Sequence, residues 1–87
     1  MKNIEEMIEY CAERGDLDFY INDFPEISGI CSGGSGKNME WYFCDRKNGL
    51  PIDSMGMYRS LQDLVDAKVF DGKSLADLFD IVDFSMN

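Results

Sequence analysis

The chain contains no histidine, and this absence removes the residue on which much enzyme chemistry depends. Histidine is the usual base that converts a cysteine into a nucleophilic thiolate, and it is a common zinc ligand. The three cysteines, Cys11, Cys31 and Cys44, lack the C-x-x-C spacing of a metal-binding or redox motif. We therefore expect three reduced thiols, with Cys44 inert at the surface or half-buried, and no catalytic residue, metal or cofactor.

Basic residues are also scarce, because eight lysines and arginines stand against 17 acidic residues and the formal net charge is −9. Nucleic acids and anionic membranes attract positive charge, so we do not expect direct binding to either. The acidic residues are concentrated in residues 1–26 and 60–87, whereas residues 27–59 are nearly neutral. An excess of carboxylates favours a partner with a basic surface.

Long apolar runs are missing as well. No run approaches the roughly 20 residues that a membrane-spanning helix needs, and Lys2 is followed by Glu5 and Glu6 where a signal peptide would be apolar. These features predict a soluble, cytoplasmic protein. A chain of 87 residues builds one core, so we expect a single domain over 1–87 with little room for a deep cleft.

The first half of the chain predicts one helix followed by strands. Asn3 can cap a helix with an apolar face at three- and four-residue spacing, and Gly15 can end it. Apolar and polar residues then alternate over 17–22 and again over 39–44, which is the period of a half-buried strand. Residues 27–31 predict a shorter strand between these two.

The segment 32–38 predicts a flexible Gly/Ser loop. Its Gly36-Lys37 pair invites comparison with a phosphate-binding loop, but Cys31 stands where that motif has its first glycine and Asn38 stands where it has Ser or Thr. We therefore interpret the segment as a connection. Residues 46–49 predict a turn, and the pattern leaves open whether 50–58 contains a further strand.

A short phrase is repeated in the last third of the chain: Ser60-Leu61-Gln62-Asp63-Leu64-Val65-Asp66 and Ser74-Leu75-Ala76-Asp77-Leu78-Phe79-Asp80. In each copy a serine can accept a hydrogen bond from a first-turn amide, and the aspartate three residues later can return the bond. The repeat predicts two short helices, roughly over 61–67 and 75–82. After them, 83–85 can form an edge strand or fray.

The order of helix, strands and two helices predicts an α+β fold, because the strands follow one another without helices between them. We expect a single small domain with an N-terminal helix and an antiparallel sheet of three to four strands. The two short C-terminal helices should pack on one face of that sheet.

Residues 70–80, preceded by Tyr58-Arg59-Ser60-Leu61, carry a resemblance. With the N-terminal helix that leads into Asp18-Phe19, they resemble a family of small uncharacterised Firmicutes proteins whose members end in a "DGK-S/T-L-x-D/E" helix. The likeness covers both ends of the chain and does not extend to residues 31–37. It implies a similar layout and brings no activity with it.

The remaining candidates are exposed side chains for contact with a partner. We expect carboxylates at helical spacing and two exposed tyrosines to form the contact, namely Asp63, Asp66, Asp77, Asp80, Tyr20 and Tyr42. The hypothesis is a non-catalytic bacterial or phage module that binds a basic protein surface, as inhibitors and nucleic-acid mimics do. The alternative is a structural or housekeeping protein whose acidity serves only solubility.

Overall fold

A computed structural model describes residues 1–84, in which helix α1 (Ile4–Arg14) precedes a four-stranded antiparallel sheet and helix α2 (Leu61–Asp66) follows it. The strands are β1 (Leu17–Asp18), β2 (Ile27–Gly33), β3 (Glu40–Asp45) and β4 (Met57–Tyr58). They lie in the order β1-β2-β3-β4, so each pairs with its neighbour along the chain. The predicted α+β class, the N-terminal helix and the antiparallel sheet are confirmed.

Helix α1 begins and ends where its sequence signals predict. The Asn3 side chain accepts a hydrogen bond from the Glu6 amide at 2.8 Å. At the other end Gly15 adopts a left-handed conformation, φ 83°, and its amide donates to the Cys11 carbonyl. The helix buries Met7 and Cys11 against the sheet.

The inner face of the sheet forms the core with both helices. Leu17, Ile30 and Phe43 lie side by side across three strands, and all three are buried. The ring of Phe43 meets those of Phe19 and Phe70 edge to face, at centroid distances of 6.4 and 5.1 Å. Alternation therefore predicted the inward side chains of the first and third strands correctly.

The prediction of a second C-terminal helix over 75–82 is wrong. Ser74 and Asp77 do exchange the two capping hydrogen bonds, but the chain makes only a turn and then a 3-10 helix at Phe79–Ile81. Val82 is already extended, and the amides and carbonyls of Tyr20 and Asp83 then exchange hydrogen bonds. Pairing of Asp83 with Tyr20 requires an extended backbone, so the helical turns end before Val82.

The connections also differ in length from their predictions. β2 continues through Gly33, so the connection after it is shorter than the predicted loop 32–38, and Gly36–Asn38 forms a 3-10 helix. The segment 50–58 supplies β4 and a single bridge from Pro51 to Cys44. Asp83 bridges to Tyr20 as an edge strand would, whereas Ser85 lies outside the described residues.

Helix length bears on the membrane question. Within residues 1–84, no helix has both the length and the apolar character that crossing a bilayer requires.

Candidate protein-binding surface

The carboxylates of this chain lie almost entirely at the surface. Every aspartate and glutamate is exposed except Glu40 and Asp45, which are half-buried. The 17 acidic residues outnumber the eight basic ones, so basic side chains cannot pair with most of them one to one. The surface therefore carries a net negative field.

Asp63 and Asp66 lie on helix α2 with both side chains exposed. The Asp63 amide donates to the Ser60 hydroxyl at 3.0 Å, which is the capping bond that the repeat predicts. Asp66 accepts a hydrogen bond from the Gln62 side-chain amide at 3.0 Å. Both carboxylates are thus available to solvent on one short helix.

Asp77 has a structural role that Asp63, at the same position in the first copy of the repeated phrase, does not share. Its carboxylate accepts from Lys68 Nζ at 2.7 Å, where the two form an ion pair, and from the Ser74 amide at 2.9 Å. The hydrogen bond from Lys68, together with those from Ser74, lowers the Asp77 pKa to about 2. The Asp77 carboxylate is therefore already bound by Lys68 and Ser74 of the same chain.

The four aspartates do not form the helical array that the sequence predicted. Asp63 and Asp66 share an α-helix, but Asp77 lies in a turn and Asp80 in a 3-10 helix. The Ala76 amide donates to the Val65 carbonyl at 3.1 Å, so the two segments are neighbours, but only Asp63 and Asp66 lie on an α-helix.

The lowered pKa of Asp77 predicts that the stability of the fold depends on pH in the acidic range. Its folded pKa of about 2 lies below the ordinary value of 3.8, so its stabilising effect is complete above pH 3.8 and is lost as the pH falls toward about 2. We expect the difference in thermal midpoint between the wild type and Asp77→Asn to narrow over that range. Asp80→Asn, an exposed aspartate in the same segment, serves as the control. A constant difference between wild type and Asp77→Asn from pH 5 to pH 2 would contradict this assignment.

Tyr20 is half-buried and already has a partner. The Arg46 guanidinium lies over its ring, 5.4 Å from the centroid, in a cation–π contact. The same guanidinium donates to the carbonyls of Phe19, Ile27 and Pro25 at 3.1, 2.9 and 3.1 Å. Sequence reasoning placed Arg46 in a turn and missed this role, since no local pattern marks the three distant carbonyls.

Arg46→Met should therefore destabilise the protein. Methionine keeps much of the apolar stem, but it cannot donate the three hydrogen bonds that the guanidinium makes to carbonyls. We expect the free energy of unfolding to fall by about 2 kcal/mol, which urea denaturation measures. Lys47→Met is the matched control, because Lys47 is the next residue in the same turn and is exposed as Arg46 is. Equal denaturation midpoints for the two variants would show that the carbonyl contacts do not stabilise the fold.

Tyr42 lies on the outer face of the sheet, opposite the core. The pairing register places Cys31, Tyr42 and Met57 in one row across β2, β3 and β4. Met57 is 48% exposed, so at least this edge of the outer face is open to solvent. Partial burial, with smaller effects from Cys31 and Cys44, raises the pKa of Tyr42, so its hydroxyl is neutral at physiological pH.

Cys44 shares the outer face but is buried, with 3% exposure, so the expectation of a surface or half-buried thiol is wrong. The bridging residue Pro51 and the hydroxyl of Ser28, 3.3 Å from the sulfur, lie beside it. Alternation correctly assigns the face of the sheet. It does not show that later segments of the chain cover this part of that face.

A surface cavity of about 330 Å³ lies beside the C-terminal segment and was not foreseen from the sequence. Two acidic residues, Asp23 and Asp71, line it together with the half-buried Phe24 and the buried Phe70. Its remaining lining residues are Lys73, Leu78 and Ile81. It thus combines negative charge with aromatic surface, a combination that suits the side chain of arginine or lysine.

No three Cys, Asp or Glu side chains among residues 1–84 form a group that could hold a metal ion. The resemblance of residues 70–80 to a Firmicutes family stays a prediction. Comparisons with family models, with curated proteins and with solved structures find no match for this chain.

Proposed function

We propose that this protein is a non-catalytic module that binds a basic surface of another protein. The contact is the acidic cavity surface, defined as the cavity lined by Asp23, Phe24, Asp71 and Ile81 together with the adjacent Asp80. Such a module acts as an inhibitor or a nucleic-acid mimic, because it offers carboxylates to a surface that ordinarily meets phosphates.

The observation that carries the proposal is the composition of the cavity. An arginine side chain entering it can place its charged group near Asp23 and Asp71 while its stem contacts apolar walls. Phe24 is half-buried, and its ring meets Phe70 edge to face at 5.1 Å, so the aromatic floor is held in place. Ile81, 55% exposed, adds apolar area at the rim.

The other carboxylates act at longer range. Lys73 lies in the same cavity and offsets part of its charge, but Asp80 follows in the adjoining 3-10 helix and the chain as a whole carries −9. Asp63 and Asp66 on α2 add to a field that speeds the approach of a basic partner. Asp77 contributes least, because Lys68 already neutralises it.

Binding of an arginine peptide tests the proposal directly. We expect a short capped peptide with two arginines to shift the amide resonances of the cavity residues in an NMR titration, and the shifts should weaken at high salt because exposed charges are screened. A double change, Asp23→Asn with Asp71→Asn, should weaken binding at least fivefold. Asp71 has a positive φ of 55°, a conformation that asparagine tolerates well, so the fold should survive.

The matched control is Glu5→Gln with Glu9→Gln, which removes the same charge from α1. If the control weakens peptide binding as much as the cavity variant does, net charge explains the binding and the cavity does not. If the peptide causes no salt-sensitive shifts at the cavity, the proposal is wrong.

The alternative, a structural or housekeeping role, has one observation in its favour. Exposed carboxylates occur on α1 and α2 and in the turns, as expected of acidity that serves only solubility. On this account the Asp63/Asp66/Asp80→Asn variant, which keeps the contacts of Asp77, changes solubility, and a pull-down from lysate recovers no basic partner at low salt.

A further inference from the structure

Two of the three cysteines lie together on the outer face of the sheet. In the pairing of β2 with β3, Cys31 lies opposite Tyr42 and Gly29 lies opposite Cys44, so the two cysteines are diagonal neighbours on one face. Their sulfur atoms are 2.8 Å apart. This is closer than two unbonded sulfurs ordinarily approach, and only a small adjustment separates it from the roughly 2.05 Å of a disulfide bond.

The surroundings give the two thiols different access. Cys44 is 3% exposed, and its sulfur lies 3.3 Å from the Ser28 hydroxyl and 3.6 Å from the Gly29 carbonyl, to which it can donate. Cys31 is half-buried and faces outward beside Tyr42. The third thiol, Cys11, is fully buried in the core on the other side of the sheet, where it cannot compete for either partner.

We propose that Cys31 and Cys44 form a reversible intrachain disulfide by exchange with a small-molecule disulfide such as oxidised glutathione. Cys31 loses its proton to solvent and its sulfur attacks one sulfur of glutathione disulfide, which releases one glutathione thiolate and leaves a mixed disulfide on Cys31. Cys44 then attacks the Cys31 sulfur and breaks its bond to glutathione, and the proton of Cys44 passes to the second glutathione as that thiol leaves. The protein loses two protons and two electrons, and one glutathione disulfide becomes two glutathione thiols.

The environment makes this pair slow to react and stable once joined. Burial, then the hydrogen bond with Cys44 and the charges of Asp16 and Asp18, raise the pKa of Cys31 to about 12. The thiolate is therefore scarce at neutral pH, and the exchange rate should rise about tenfold per pH unit. Strongly oxidising dithiols owe their potential to a stabilised thiolate, which is missing here, so the bond should resist reduction once formed.

The bond would fasten the two longest strands of the sheet to each other. It would close the chain between Cys31 and Cys44, including the 3-10 helix Gly36–Asn38, into a covalent loop. Closing a loop of this size restricts the unfolded chain, and the thermal midpoint should rise by on the order of 10 °C. The bond would also pass beside Tyr42 and stiffen the outer face.

Thiol counting in the folded protein tests the proposal. The purified protein is equilibrated at pH 8.5 in mixtures of reduced and oxidised glutathione, then quenched in acid, unfolded and alkylated. We expect three alkyl groups in the reduced protein and one, on Cys11, in the oxidised protein, with mass mapping that joins Cys31 to Cys44. The same equilibration in 8 M urea is the control, and the folded protein should favour the bond at least tenfold more strongly.

Single substitutions test the order of attack. Cys44→Ser should accumulate a mixed disulfide of glutathione with Cys31, whereas Cys31→Ser should leave Cys44 unmodified because that sulfur is buried. Cys44→Ala replaces the first variant if serine disturbs the site, and circular dichroism checks that each variant folds. Three alkyl groups at every glutathione ratio would overturn the proposal. So would a bond that forms no more readily in the folded protein than in urea.

Discussion

Replacing Phe43 with alanine is expected to lower the free energy of unfolding by about 3–5 kcal/mol, the usual cost of removing a buried phenylalanine. Phe43 is fully buried in the middle of β3, and its ring contacts those of Phe19 and Phe70 edge to face. Domains of this size have about 5–15 kcal/mol in total, so the variant should lose a large share of its stability. Urea denaturation followed by circular dichroism measures the loss.

Two companion variants calibrate this loss, one at the same site and one at the surface. Phe43→Leu leaves a smaller void than Phe43→Ala and should lower the free energy of unfolding by less than half as much, because leucine fills part of the space of the ring. Leu50→Ala, at a residue 59% exposed, should change stability by less than about 0.5 kcal/mol. If Phe43→Ala is no more destabilising than Leu50→Ala, the core is not where the structure places it.

Replacing Gly29 with alanine is the second change with a large expected effect. A Cβ atom at this position would lie 2.1 Å from the Leu17 carbonyl oxygen and 2.9 Å from the Asp18 Cα, both of them backbone atoms of β1. The φ of 153° is also one that L residues rarely adopt. Since no side chain can move aside, β1 must separate from β2, and we expect a loss of at least about 3 kcal/mol.

Gly33→Ala is the matched control in the same strand. A Cβ there would lie 3.6 Å from the Tyr42 ring, an ordinary contact distance, and no positive φ opposes it. This variant should match or slightly exceed the wild type in thermal midpoint, because alanine restricts the unfolded chain more than glycine does. Similar midpoints for the two alanine variants would contradict the close approach of β1 to Gly29.

Features set by near neighbours in sequence were predictable. The Asn3 cap, the Gly15 terminus and the inward alternation of Trp41 and Phe43 all depend on residues a few positions apart. The Asp71-Gly72 turn is of the same kind: both residues have positive φ, and Phe70 and Lys73 pair across it. Such signals can be recognised in a single sequence because the residues that form each of them lie within a few positions of one another.

Features set by distant segments were not predictable. The phrase at 74–80 carries the same capping signal as the one at 60–66, yet its turn stops because Asp83 must pair with Tyr20. The acidic cavity joins Asp23 to Asp71, residues far apart in the chain, and no spacing rule connects them. The closeness of Cys31 to Cys44 likewise depends on the register of β2 with β3, which the sequence does not state.

The unequal strand lengths affect how copies of this chain meet one another. The inner strands have seven and six residues, whereas the outer strands β1 and β4 have two each. An exposed strand edge invites another sheet to add to it, and very short edges are one way in which proteins prevent this. The bridge from Asp83 to Tyr20 covers backbone just beyond β1. Each outer strand therefore offers only two residues of backbone on which an amyloid-like stack could begin.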